Sequence, residues 1–401
     1  MPRRVLRNII IVIIFLHGVM VLFPSFFFKR FSLVSVAVLL MVLSTAFAGG
    51  ASDINVTDAW GRDVAVPENV TKVICSGPGC LRYLVYLQAQ DLAVAVDDME
   101  KSRNMFESRP YFIAHPELKD KPLFGEFRGH DNPELIVALD PEPQVIFKTF
   151  GNMGHDPVEL QKKTGIPVIV LDHGQLGVGK KKMDETLMMM GRVIGKEERA
   201  KEVIAFFDDA IEDLRKRTAD IPEDKRPTCY VGGVAYKGPH GITSTEPAYP
   251  PFLFVNAINI AADPSKTNSD QLSQTTFSVE SLVSMDPDRI FVDLSTLQGG
   301  AEVNGLYQVR DGAPFQVLSA VEKGEIYGVL PYNWYSQNHG SILADAYFIG
   351  KILYPERFED VDPVKKADEI YSFLVGKPVY EEMDKSFGGH VFKKIDLSKV
   401  E

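Results

Sequence analysis

The chain has 401 residues, 45% of them hydrophobic and 24% charged, with a formal net charge of −11. The first 50 carry five Lys/Arg and no Asp/Glu, so the remainder stands at −16. An acidic surface of that size disfavours nucleic acid and anionic lipid as partners, and leaves room for two domains of ordinary length.

Residues 31–48 form an apolar run behind Lys29-Arg30 that ends in Ala46-Phe47-Ala48, the small-x-small pattern of a signal-peptide cleavage site. A second apolar run, 9–28, lies behind Arg3, Arg4 and Arg7. Met20 is an alternative start, and a run of about 20 apolar residues is long enough to span a bilayer. Residues 1–50 therefore read as a signal peptide or membrane anchor, with export to the periplasm or cell surface and a tether left open. No cysteine follows the small-residue site, which argues against lipid attachment there.

Residues 54–66 alternate apolar and polar around Gly61, as a hairpin does. A strand over 70–75 runs into Ser76-Gly77-Pro78-Gly79 and a helix over 80–88, followed by a strand over 91–96. Two stretches then carry the same pattern. Glu134-Leu135-Ile136-Val137-Ala138-Leu139-Asp140-Pro141 precedes Gln144-Val145-Ile146-Phe147, and Glu280-Ser281-Leu282-Val283-Ser284-Met285-Asp286-Pro287 precedes Arg289-Ile290-Phe291-Val292. Each reads as a short helix stopped before proline, then a buried strand. Residues 168–171 add a strand, and 183–217 show helical spacing that Gly195-Lys196-Glu197-Glu198 either bends or splits. A single helix of that length would extend about 50 Å. The second half offers strands at 229–234, 290–293 and 325–330, and helices over 250–261, 341–353 and 363–375.

Strand–helix alternation used twice implies an α/β fold of two Rossmann-like lobes with mainly parallel sheets and a cleft between them. The expected organisation is a first lobe over 53–181, a bridging helix over 182–218 and a second lobe over 228–401. Cys75, Cys80 and Cys229 lack the partners of a zinc or iron–sulfur site and read as buried apolar residues; a Cys75–Cys80 disulfide stays open.

This layout resembles the class III substrate-binding proteins of ABC importers, the group with vitamin B12, ferric-siderophore and haem binders, over about residues 53–383. The resemblance implies one surface glutamate on each lobe that docks to the membrane permease, and Glu134 and Glu280 fall at those positions. It also implies an aromatic residue lining the cleft at Phe147.

Ligand contacts are expected on loops at the carboxyl ends of strands. In the first lobe these are Ser76, Gly77 and Gly79, whose backbone N–H groups could hold an oxyanion, with Arg128 and Lys148 as anionic anchors. In the second they are Tyr236, Ser244, Thr245 and the aromatic loop of Tyr332, Asn333, Trp334 and Tyr335. His173, His240 and His339 stand singly, so metal ligands stay unknown. The expectation is an exported binding protein, not an enzyme, that needs no cofactor and carries a metal complex, an iron chelate or corrinoid, to an ABC permease. The alternatives are a molybdate or tungstate binder, or a metalloenzyme on a related two-lobed fold.

Overall fold

The computed structural model describes residues 53–102 and 105–400; the leader expected over residues 1–50 lies outside them. Strands β1 (Asp53–Thr57) and β2 (Asp63–Pro67) make an antiparallel hairpin with Val56 opposite Val64. Its inward residues Val56, Val64 and Val66 are buried. Gly61 turns the chain at φ +74°, and the Asp58 carboxylate accepts from the N–H groups of Trp60 and Arg62 at 2.9 and 3.0 Å.

The first large sheet contains β3 (Val73–Ser76), β4 (Ala93–Asp97), β5 (Leu123–Glu126), β6 (His130–Asp131), β7 (Val145–Thr149) and β8 (Val168–Leu171). Their order is β6-β5-β4-β3-β7-β8, parallel throughout except for the edge pair β5 and β6. A parallel sheet needs cover on both faces. Alternate residues sort accordingly. Ile74, Ile146 and Val168 pack with Phe124, Ile136 and Leu160 on one face. Cys75, Phe147 and Ile169 join the main core on the other.

The second half contains β9 (Thr228–Gly232), β10 (Ser244–Thr245), β11 (Ile258–Asn259), β12 (Thr275–Thr276), β13 (Arg289–Asp293) and β14 (Ile326–Val329). A four-stranded parallel sheet runs β11-β9-β13-β14, and β10 pairs antiparallel with β12. The helix expected over 250–261 is only Pro250–Phe254, because Asn256 at φ +51° turns the chain into β11. The two mainly parallel sheets are the α/β architecture that the alternation implied.

The connecting segment is two helices, Lys180–Val193 and Glu197–Thr218, broken where Gly195 takes φ +68°. They fold back on one another: a Cβ on Gly191 would lie 3.0 Å from that of Ala200. The spine is therefore the 22-residue helix Glu197–Thr218, about 33 Å long rather than 50 Å. It is not the sole brace. Helix Pro363–Val375 buries Ala367, Ile370, Tyr371 and Leu374 along one stripe. Its last turn reaches back to the first half, where Gln88 Nε2 donates to Leu374 O at 3.2 Å and His115 Nε2 lies 3.0 Å from Val375 O. The main core consequently runs unbroken from the first sheet to the second.

No heavy atom lies within 4 Å of where a Cβ on Gly195 would stand. Gly195→Ala should then cost only its backbone strain, about 1 kcal/mol. Gly191→Val must displace Ala200 and should cost about 2 kcal/mol. Urea midpoints of the two variants check this ordering.

Candidate functional site

In parallel sheets every strand delivers its carboxyl end to the same edge, and here the edges of both sheets meet along one seam. On the first side, β3 runs into 76–79, with Gly77 at φ +84° and Gly79 at φ +79°. Neither position accepts a side chain. A Cβ on Gly77 would lie 2.6 Å from Thr149 O, and one on Gly79 would lie 3.2 Å from Ser336 Cβ across the seam. At Gly79 the first half lies directly against Ser336 of the second.

Across that contact stands the loop 332–338, held by Arg82. This residue lies on helix Cys80–Tyr86, is 1% exposed, and rests 5.3 Å over the Tyr111 ring. Its Nε donates to Asn338 Oδ1 at 2.9 Å, one terminal nitrogen to Gln337 O at 2.5 Å and the other to Tyr335 O at 2.9 Å. Two further links cross the seam: Tyr335 Oη donates to Asp97 Oδ2, and Ser336 Oγ lies 3.0 Å from His173 Nε2. His173 stacks on Phe150 at 4.6 Å. Burial, with the positive charge of Arg82, pulls its pKa down to about 4, so the imidazole is neutral at pH 7.

A buried charge cluster stands behind Asp97. Arg109 pairs with Glu100 and Glu107, each at 2.8 Å, and Tyr111 Oη donates to Glu100 at 2.6 Å. Burial, with repulsion from Glu100, raises Asp97 to about 7. On the other side, Tyr332 Oη donates to Glu246 and the ring stacks on Tyr249 at 5.7 Å. Burial lifts Glu246 to about 8 and Asp293 to about 7.

The expected contacts divide into two groups. Gly77, Gly79, Asn333, Trp334 and Tyr335 line the seam; Arg128 and Tyr236 are exposed on loops at strand ends. Six others do not offer a surface. Phe147 is fully buried in the middle of β7, so it fills core rather than cleft. Lys148 is also fully buried, with Nζ donating to Asp131 Oδ2 at 2.5 Å and Gly129 O at 2.9 Å. Ser76 Oγ donates to that same carboxylate at 2.6 Å, which turns the side chain into the sheet. Ser244 and Thr245 are buried in β10, where Ser244 Oγ donates to Val234 O at 2.7 Å. Tyr332 is 1% exposed and belongs to the core. His339, fully buried among Tyr83, Tyr86 and Phe207, does likewise.

Sequence reasoning passed over Arg82 because one arginine on a short helix reads as its solvent face. The signal was present: Leu81, Tyr83, Leu84, Val85 and Tyr86 leave that helix no polar face to turn outward. Cys75 and Cys80 are free, buried thiols. Among the described residues no group of three or more His, Cys, Asp or Glu side chains is placed to hold a metal ion. No helix among them is long and apolar enough to cross a membrane.

Two parallel α/β sheets whose strand ends face each other across a seam define a two-lobed solute-binding protein. The chain belongs to the periplasmic binding protein family, which matches residues 102–331. Within it the chain is of the class III type that serves ABC importers outside the cytoplasm, and it is not an enzyme. It is 24% identical over 358 residues to the molybdate-binding protein MolA of Haemophilus influenzae, across 82% of this chain and 93% of that one. The solved structure of MolA bound to molybdate superimposes with a TM-score of 0.60 at 19% identity, covering 81% of this chain and 99% of MolA. A periplasmic solute-binding protein from Veillonella parvula gives 0.62 at 17% identity, covering 84% and 96%. The TroA-like protein FepB from the same organism gives 0.59 at 20%, covering 81% and 97%.

The buried charges can be tested by substitution and by pH. Lys148→Met strands the Asp131 carboxylate and should cost about 3–5 kcal/mol in urea unfolding, most of it recovered when Asp131→Leu is added. The second test concerns pH. Asp97, Asp293 and Glu246 have folded pKa values of about 7, 7 and 8, above their unfolded values. The folded state therefore binds these protons more tightly, and their contribution is full at about pH 4 and lost as pH rises through 7 to 8. The melting temperature should fall between pH 5 and 8, and Asp97→Asn and Glu246→Gln should each shallow the fall.

Proposed function

We propose that this chain captures a small oxyanion of the molybdate or tungstate type between its lobes and delivers it to an ABC permease. The observation that carries the reading is that two buried N–H donors of the second half, Trp334 Nε1 and Gln298 Nε2, each lack a hydrogen-bond partner. Both stand on segments that leave strand carboxyl ends, Trp334 after β14 and Gln298 after β13. An unpaired buried donor costs about 1–3 kcal/mol, which an oxyanion oxygen would offset. Arg82 adds positive charge beside the Trp334 loop, and the close approach at Gly79 leaves a narrow seam suited to a compact ligand. The relationship to MolA supports the same choice.

A second reading, the iron chelate or corrinoid that the sequence favours, draws support from aromatics at strand ends and near them. Tyr236 is 44% exposed after β9 and Trp60 is 47% exposed beside Gly151. Such rings suit a flat or catecholate ligand.

Docking to the permease would use Glu134 and Glu280. Each is exposed in the first turn of a repeat helix, one capped by Asn132 and the other by Ser278. Glu134 borders an open groove of about 510 Å³ that also includes Glu126, His130, Leu135 and His155. Residues 1–50 would export the chain, as a cleaved leader or as a tether at the cell surface.

Thermal unfolding with molybdate, tungstate, sulfate, a ferric catecholate, haem and cobalamin separates the two readings. Molybdate or tungstate at 100 times its dissociation constant should add about 2.7 kcal/mol of stability. Stabilisation by a chelate alone, with none from any oxyanion, would transfer the function to the second reading.

A further inference from the structure

We propose that Arg82 is a positioning residue for the ligand loop: it sets the backbone of residues 333–337 through their carbonyl groups and so governs affinity without touching the ligand. This rests on the reading of the seam as the ligand site, and extends it to a residue buried behind that seam.

Besides Tyr335 O and Gln337 O, the guanidinium has Trp334 O and Ser336 O each at 3.4 Å, so four successive carbonyls converge on one side chain. Extended chain points successive carbonyls to opposite sides. To aim four at one centre the loop must curl, and it does so through Tyr335 at φ +46° and Ser336 at φ +71°. Neither is glycine, and a left-handed non-glycine residue costs roughly 1–2 kcal/mol. A planar fork of five donors is the side chain able to hold such a curl. Asn338 completes the arrangement: Oδ1 accepts from Arg82 Nε, while Nδ2 donates to Tyr332 O at 3.2 Å and Trp334 O at 3.3 Å.

The chemistry of Arg82 points the same way. Among the described residues none of its hydrogen-bond partners is a carboxylate, so its charge is spread over neutral carbonyls rather than cancelled. In a trans peptide the N–H lies opposite the preceding C=O. Carbonyls gathered on Arg82 therefore turn the N–H groups of Tyr335, Ser336 and Gln337 to the other side of the loop. Lysine cannot replace this. Its single nitrogen does not span the acceptors from Asn338 Oδ1 to Tyr335 O.

The test uses the chain's two tryptophans, Trp60 and Trp334. In a Trp60→Phe parent, Trp334 alone reports on the loop, with no ligand needed. Arg82→Lys and Arg82→Met are compared with that parent by melting and by Trp334 emission and acrylamide quenching, and, in the chain that keeps Trp60, by calorimetric titration with molybdate and with a ferric catecholate. Arg82→Lys should melt cooperatively, show red-shifted Trp334 emission with at least twofold greater quenching, and bind at least tenfold more weakly whichever probe the parent binds. Unchanged Trp334 quenching, or affinity within twofold of the parent, overturns the proposal; a lowered melting temperature alone marks a merely structural arginine. If the Arg82 variants do not fold, Asn338→Ala carries the test. It should shift Trp334 in the same direction by less, and no shift overturns the proposal. If the chain that keeps Trp60 binds neither probe, the titration uses whichever of tungstate, haem or cobalamin stabilises it in thermal unfolding, and unchanged Trp334 quenching still overturns the proposal.

Discussion

Apart from the cluster on one face of the first sheet, the two sheets do not have separate interiors. One apolar core passes from β3 and β7, through the helices that follow, to β9, β13 and β14. Interiors are close-packed and resist sliding, so separating the halves would expose apolar area at about 25 cal/mol per Å². Glu197–Thr218 spans the join on one side, and the last turn of Pro363–Val375 ties back to Gln88 and His115 on another. A join packed this way resists wide opening, so any movement between the halves would be small and concentrated in the loops that meet at the seam.

Those loops are held by polar contacts that the core makes costly to lose. Arg82, Tyr335 with Asp97, and Ser336 with His173 all cross the seam, and each uses groups that are buried or half-buried. Lys148 with Asp131 and Ser76 plays the corresponding part behind the first loop: it fixes the end of β3 against β7, so that Gly77 and Gly79 keep their left-handed turns. Removing Lys148 leaves the Asp131 carboxylate uncompensated, whereas removing Arg82 leaves a set of unpaired carbonyls, so each residue holds its loop while offering no surface of its own.

Much of the architecture was legible because it is written in periodicities. The duplicated helix–strand pattern marks β7 and β13, the alternation at 54–66 marks the hairpin, and i, i+3, i+4 spacing marks Pro363–Val375. The site was less legible for a geometric reason. Sequence shows that a residue ends a strand, but not where that strand lies in the sheet. Phe147 and Lys148 sit on β7, flanked by β3 and β8, so both are covered; Arg128, next to the edge pair β5 and β6, is exposed. Tyr332 and Trp334 are two residues apart in one aromatic loop, yet the first is core and the second lines the seam. The break at Gly195 was within reach of sequence, since glycine takes a positive φ at little cost. The return of the C-terminal helix to the first half was not, because it depends on contacts more than 250 residues apart in the chain.

The acidic surface and an anionic ligand are compatible for the same reason that burial matters elsewhere. Exposed carboxylates are screened beyond a Debye length of about 8 Å at physiological salt, so a net charge carried on the outer faces contributes little at the seam. What counts there is the buried set. Arg82 is charged and bonded to neutral acceptors, His173 is neutral, and Asp97, with its pKa near 7, gives up much of its negative charge at neutral pH. Arg82 thus keeps at the seam a positive charge that no directly bonded carboxylate cancels, while the chain as a whole is at −11. As pH rises and Asp97 ionises fully, negative charge builds up beside Tyr335 and Arg82.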